Sequence, residues 1–234
     1  MGINSRSLQN LFALFLALLS IWGIIITSQY GTASLDYYKT KSIMSLWQAE
    51  GVIESPEQYE KAKLAAYGAH NTHPNHALYL DLLGQIHEWG QISGYENQKQ
   101  ALQQAQNYYQ SATQIRPIWS VTWASLANVK WRLQEFDDEM LLYLLRADQF
   151  GPRKREVNIF LSELGLALYD SNNLLLLNII AKVKKRLTMG LLNPASRERV
   201  RAIIKKHDAA TLVCFWLSNQ PYDNARKFIL GCKR

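Results

Sequence analysis

Histidine spacing is the first hint of chemistry in this chain. His70, His73 and His76 fall within seven residues, in the run His-Asn-Thr-His-Pro-Asn-His. Clustered imidazoles are the raw material of a zinc site. Pro74 divides them, and no cysteine or carboxylate lies beside them, so the run reads as a polar turn and no metal is expected. His87-Glu88 reads as a helix pair engaged in surface or packing roles. Asp137-Asp138-Glu139 reads as a helix start, where carboxylates meet the positive end of the dipole, and not as an acid–base pair. Trp119, Trp123 and Trp131 would make a sugar-stacking platform if exposed together. At helical spacing they read instead as core or inter-helix packing. Cys214 and Cys232 form no CxxC or zinc pattern. They read as buried or free thiols, with a disulfide as the alternative in an oxidising compartment. There is no Gly-rich phosphate loop, GxSxG or HExxH. The expectation is therefore a protein with no catalytic residues, no cofactor and no metal, although carboxylates distant in sequence can still meet in space.

The elements carrying these residues announce themselves by a repeated spacing. Ala62, Ala66, Ala69 and Pro74 recur as Ala105, Tyr109, Ala112 and Pro117, and again as Met140, Leu144, Ala147 and Pro152. A leucine follows each proline by nine residues, at Leu83, Leu126 and Leu161. Steps of four and three put residues on one helical face. The proline ends the helix because it lacks an N–H and restricts the residue before it. The leucine then falls in the next helix, facing back. A helix–turn–helix unit of about 34 residues resembles the tetratricopeptide repeat over residues 43–170. Gly90-Gln-Ile-Ser-Gly94 reads as a loop inserted in one copy.

The fold class expected is all-α: one N-terminal transmembrane helix, then TPR-like antiparallel helical hairpins forming an α-solenoid or helical bundle. Residues 1–10 make a short polar tail. Residues 11–30 make the anchor, since no charge occurs between Arg6 and Asp36 and the apolar run is long enough to cross a bilayer. Trp22 and Tyr30 suit the far interface. Gly31-Thr32-Ala33 resembles a signal-peptide cleavage site, but the apolar run exceeds a usual signal core, which favours a retained anchor. An amphipathic segment covers residues 35–54, and Ser55-Pro56-Glu57 starts the next helix, with Ser55 as its cap. Residues 35–170 hold the repeats. Residues 171–234 form basic C-terminal helices packed on them. Within these, Leu174 to Ile180 reads as a buried helix ending in Lys182, Lys184, Lys185 and Arg186. Pro194-Ala195-Ser196 starts another helix. Thr211 to Leu217 is a short apolar segment stopped at Asn219-Gln-Pro-Tyr222, and a last helical turn or two closes the chain.

Charge is uneven. The chain carries +7 overall, while residues 153–206 hold twelve basic against four acidic side chains. That region reads as a solvated basic face or as a contact for anionic lipid or an acidic glycan. Nucleic acid is not expected, because Arg6 and the short tail place the N-terminus inside and the large domain outside, in the periplasm of a bacterial inner membrane.

The layout also resembles the VpsP-type proteins of bacterial exopolysaccharide clusters. The residues that carry this are the opening span, Trp123-Ala-Ser-Leu-Ala-Asn-Val-Lys within Trp119–Lys130, the Ala147–Pro152 turn, and Val157 to Leu168 with Leu164-Gly165-Leu166. The resemblance implies a non-catalytic scaffold or accessory factor in polysaccharide biosynthesis or export, with protein partners from that machinery. It brings no catalytic residues. The alternatives are an assembly factor for another envelope complex and a glycan-active enzyme.

Overall fold

A computed structural model describes residues 5–219, 223–229 and 232, with side chains from residue 9 onward. Among them the regular structure is helical throughout: α1 (Ser5–Glu50), α2 (Pro56–Thr72), α3 (Ala77–Ile92), α4 (Gln98–Ile115), α5 (Ser120–Arg132), α6 (Asp138–Phe150), α7 (Arg155–Asp170), α8 (Leu175–Leu192), α9 (Pro194–Lys206), α10 (Ala210–Trp216) and a 3-10 segment, Asp223–Phe228. The chain divides into two compact units, Met1–Tyr108 and Tyr109–Arg234.

In the first unit, α1 packs along α2, and α2 along α3. The expected tail, anchor and amphipathic segment prove to be one unbroken helix from Ser5. No proline interrupts it, and an isolated glycine such as Gly31 costs only about 1 kcal/mol, too little to break so long a helix. Its ends face different surroundings. Leu11, Phe12, Trp22 and Ile24 lie bare, and this is the one helix among the described residues long and apolar enough to cross a membrane. Ala33, Thr40, Met44 and Trp47 are buried against the hairpin. Thr40 donates to the Ala62 carbonyl at 3.2 Å, and the Trp47 indole to Gln58 at 2.6 Å. Gly51, at φ 76°, ends α1 and returns its N–H to the Trp47 carbonyl. Ser55 then caps α2 by accepting from the Gln58 N–H, with Pro56 in the first turn.

In the second unit, α5 pairs with α6 and α7 with α8, while α7 also touches α5 and α9. The repeated spacing sits where its periodicity demands. Ala62, Ala66, Ala69, Ala105, Tyr109, Ala112, Met140, Leu144 and Ala147 are all buried, as are Leu83, Leu126 and Leu161. Pro74, Pro117 and Pro152 lie in the turns after α2, α4 and α6. The presumed insertion is shorter than its glycines suggested: Gly90 to Ile92 remain helical, and residues 93–97 make the connection.

Residues 174–180 are buried on one face only, with Leu175 and Ile179 in the core. They open α8, which runs on to Leu192, and Leu174 and Leu177 are exposed. The lysine cluster is therefore mid-helix and gains nothing from the helix C-terminus. Gly165 lets α7 and α8 approach, since a Cβ there would collide with Val183. Gly165→Ala is expected to cost about 1–3 kcal/mol by overpacking, read as a fall in the unfolding midpoint. The closing turn is the 3-10 segment. The proposed stop, from Gln220 on, lies outside the described residues.

Candidate functional site

The most site-like cluster of the first unit is built on α2. Tyr59, Lys63 and Tyr67 recur every four residues and so share one face. The Gly90 carbonyl at the end of α3 accepts the N–H groups of Tyr95 and Glu96, which folds the 93–97 connection back over that face. Glu96 thereby reaches three partners. Its Oε1 accepts from the Tyr59 hydroxyl at 2.5 Å and from Lys63 Nζ at 2.6 Å. Its Oε2 meets His87 Nδ1 at 2.7 Å. His87 Nε2 lies 3.0 Å from the Tyr67 hydroxyl, which accepts from Tyr108 at 3.3 Å. The His87 ring stacks on Tyr108 and is only 4% exposed.

A histidine oriented by a carboxylate is half of a general-base arrangement. Here both ring nitrogens are turned inward to Glu96 and Tyr67, so the dyad works as a latch between the connection and the hairpin. Burial alone would raise the Glu96 pKa, but the bonds from Lys63, Tyr59 and His87 outweigh it and hold the carboxyl below its usual range. Burial, then Glu96, pushes the Tyr59 hydroxyl up, and burial with Tyr67 does the same at Tyr108. A depressed carboxyl pKa contributes stability that is present above the unfolded value of 4.5 and lost as pH falls through the folded value. The first unit should therefore loosen below pH 4.5, seen as faster amide exchange in residues 93–97. Glu96→Gln should remove that pH dependence. The His87-Glu88 pair reads as surface or packing; His87 is packed, and a carboxylate partner, Glu96, comes to it from a loop nine residues away.

The three clustered histidines do not converge on one point. His70 meets Tyr108 edge-on, His73 lies between Tyr30 and His76, and His76 stacks on Tyr79 with ring centres 4.2 Å apart. Burial lowers the His70 pKa.

In the second unit the tryptophans serve separate contacts and share no platform. Trp119 lies between the Arg116 guanidinium, 4.1 Å from its ring centre, and Lys154 Nζ at 4.7 Å. Trp123 donates to the Pro117 carbonyl at 2.7 Å and packs on Tyr143. Trp131 packs on Phe160. Each is half-buried. Between α5 and α7 runs an open groove of about 360 Å³, lined by residues such as Ala124, Ser125, Asn128, Trp131, Ile159 and Phe160.

The acidic run after α5 does more than open a helix. Asp137 caps α6 by accepting from the Met140 N–H. Glu135, Asp137 and Glu139 also take the Nζ of buried Lys130, at 2.7, 2.6 and 3.0 Å. Burial alone would lower the Lys130 pKa; the three carboxylates outweigh it and raise it. That ammonium is held charged with its three donors engaged, the opposite of an activated lysine nucleophile.

The basic C-terminal region is not uniformly surface. Arg186 is wholly buried. Its Nε donates to Asp148 at 2.8 Å, and its two terminal nitrogens reach the Gly151 and Asp148 carbonyls and Asn158 Oδ1. It ties α8 to the Gly-Pro turn between α6 and α7. Lys206 pairs with Glu163 and His207 with Asp170, which fastens the end of α9 to α7. Of the two readings of the cysteines, the structure has the alternative rather than buried or free thiols: Cys214 and Cys232 form a disulfide, with Cα atoms 5.5 Å apart. Tertiary folding brings the tail back to α10, a closeness that an 18-residue separation does not reveal.

Fold and sites together define a class: an all-helical protein with helical hairpins, opened by one long helix whose apolar half is bare. No family model matches the chain, and no curated protein does.

Proposed function

We propose that this is a non-catalytic, single-pass membrane protein whose helical hairpins hold a protein partner beside the bilayer. The observation that carries the reading is α1 itself. Its bare apolar half needs a lipid environment, and its other half is core of the first unit. The run that resembles a cleavage site, Gly31-Thr32-Ala33, lies in mid-helix with its Ala33 packed in the core of the first unit, which supports retention of the anchor. The disulfide supports a domain on the oxidising side of the membrane, in agreement with an N-in orientation and a periplasmic domain. The recurring spacing, with α7 touching both α5 and α9, is what stacked tetratricopeptide-type hairpins require. The α5–α7 groove offers apolar side chains, the Asn128 amide and the charges of Arg155, Glu156 and Glu163 to a partner helix or strand. Exopolysaccharide biosynthesis or export is the machinery we assign, on the likeness of the sequence to VpsP-type proteins. Nucleic acid is not a partner in this reading.

The test is photo-crosslinking from Ser125 and Asn128 in intact cells, followed by mass spectrometry. Recovery of glycosyltransferases, a flippase or polysaccharide export components is the expected result. Recovery of protein-folding or cytochrome-assembly factors alone would sink the polysaccharide assignment and leave an anchored adaptor for another envelope process.

A further inference from the structure

The end of the second unit where α7 turns into α8 combines three features. Leu174, just before α8, and Leu177, in its first turn, are 77% and 72% exposed, a large apolar tip with nothing of the described chain over it. Tyr169, in the last turn of α7, meets Trp216 of α10 edge-on with ring centres 5.5 Å apart, and Phe215 beside it is exposed. Cations border the tip without acids on the same helix. The α8 sequence has no Asp or Glu, and among the described residues no ion pair engages Lys182 or Lys184. The His207–Asp170 contact brings the basic end of α9, Lys205-Lys206, to the same end of α7. Leucines at a tip, a Tyr–Trp pair behind them and lysines one to two turns further back match the depth profile of a membrane interface. Apolar groups enter the acyl boundary, amphipathic rings sit at headgroup level, and ammonium groups reach phosphates.

We infer that this tip docks on the surface of an anionic bilayer, with Leu174 and Leu177 inserted and Lys182 and Lys184 on lipid phosphates. A protein groove would accept the leucines equally, but it would not account for lysines unopposed on the same helix at about 1.5 Å of rise per residue beyond them. The inference rests on the membrane-anchored reading, since α1 is what keeps the tip near lipid. The disulfide has a place in it: Cys214 belongs to α10, so the bond to Cys232 holds the helix that carries Phe215 and Trp216.

The test uses the full-length chain reconstituted in bilayers of phosphatidylcholine alone or with phosphatidylglycerol. The native cysteines are paired, so Leu177→Cys, Ile24→Cys and Leu142→Cys can each carry one polarity-sensitive fluorophore. The expected result is a membrane-buried probe at 24 in both bilayers, an aqueous probe at 142 in both, and a probe at 177 that is buried only with the anionic lipid. Lys182→Gln and Lys184→Gln should each lower the docked fraction about fivefold at low occupancy. A buried probe at 24 with an aqueous probe at 177 overturns the docking inference and leaves the anchor standing. An aqueous probe at 24 overturns the anchor, and the inference with it. A probe at 177 buried equally in both bilayers overturns the selection for anionic lipid.

Discussion

Arg186→Met should destabilise the second unit by about 3–5 kcal/mol, the largest effect expected of any single substitution in the chain. The guanidinium is fully buried and donates to Asp148, to two main-chain carbonyls and to Asn158. Methionine fills the volume but leaves Asp148, itself mostly buried, with only the long contact from Lys185 at 3.4 Å, and the Gly151 carbonyl with only the Lys154 N–H at 3.3 Å. Buried acceptors that lose their shortest, charged donor are left poorly solvated, which is where the cost arises. Asp148→Asn should cost somewhat less, about 3 kcal/mol: it leaves the buried guanidinium without its carboxylate, but the contacts to the carbonyls and Asn158 survive. Amide exchange resolved by peptide is the suitable readout, since the two units need not unfold together. Protection should fall throughout α7 and α8. If exchange in α7 and α8 is unchanged by Arg186→Met, the Gly-Pro turn is held by something other than this side chain. Either way, the experiment separates this arginine from the surface lysines around it, with which its charge alone would group it.

Loss of the Cys214–Cys232 disulfide should cost about 3 kcal/mol, as closing a loop of this length in the unfolded chain predicts. The effect should be local. The bond ties α10 to the tail, so Cys214→Ala with Cys232→Ala should release both while leaving α5 to α7 protected. Thiol alkylation of the protein in native membranes gives a second readout. No tag is expected before reduction and two after it. Tagging of both cysteines without reductant would show that the pair is not formed in the cell. That result would remove the main support for placing the domain on the oxidising side. Combined with fractionation of the membranes, the measurement reports on topology as well as on stability.

Local signals alone determined much of this protein. The uncharged apolar run identified the helix that is bare in the structure, because the requirement for a lipid-crossing helix is simply length without charge. The four–three spacing with its prolines located the buried faces of α2, α4 and α6 and the turns that follow them, because helical periodicity and the missing proline N–H act within a few residues. The cap at Ser55 and the helix start at Asp137-Asp138-Glu139 were legible for the same reason. What remained hidden depends on which distant residues meet. Nothing near His87 names Glu96 as its partner, since the pairing is made by a connection that folds back on Gly90. Nothing in Lys-Lys-Arg separates the wholly buried Arg186 from Lys185, which is 43% exposed; the difference is which way each points once α8 lies against α7. The disulfide was equally out of reach of spacing, because two cysteines pair only if packing sets their Cα atoms within bonding range. A residue's helical face is a property of its neighbours in sequence. Its partner, its charge environment and its chemistry are properties of the tertiary fold.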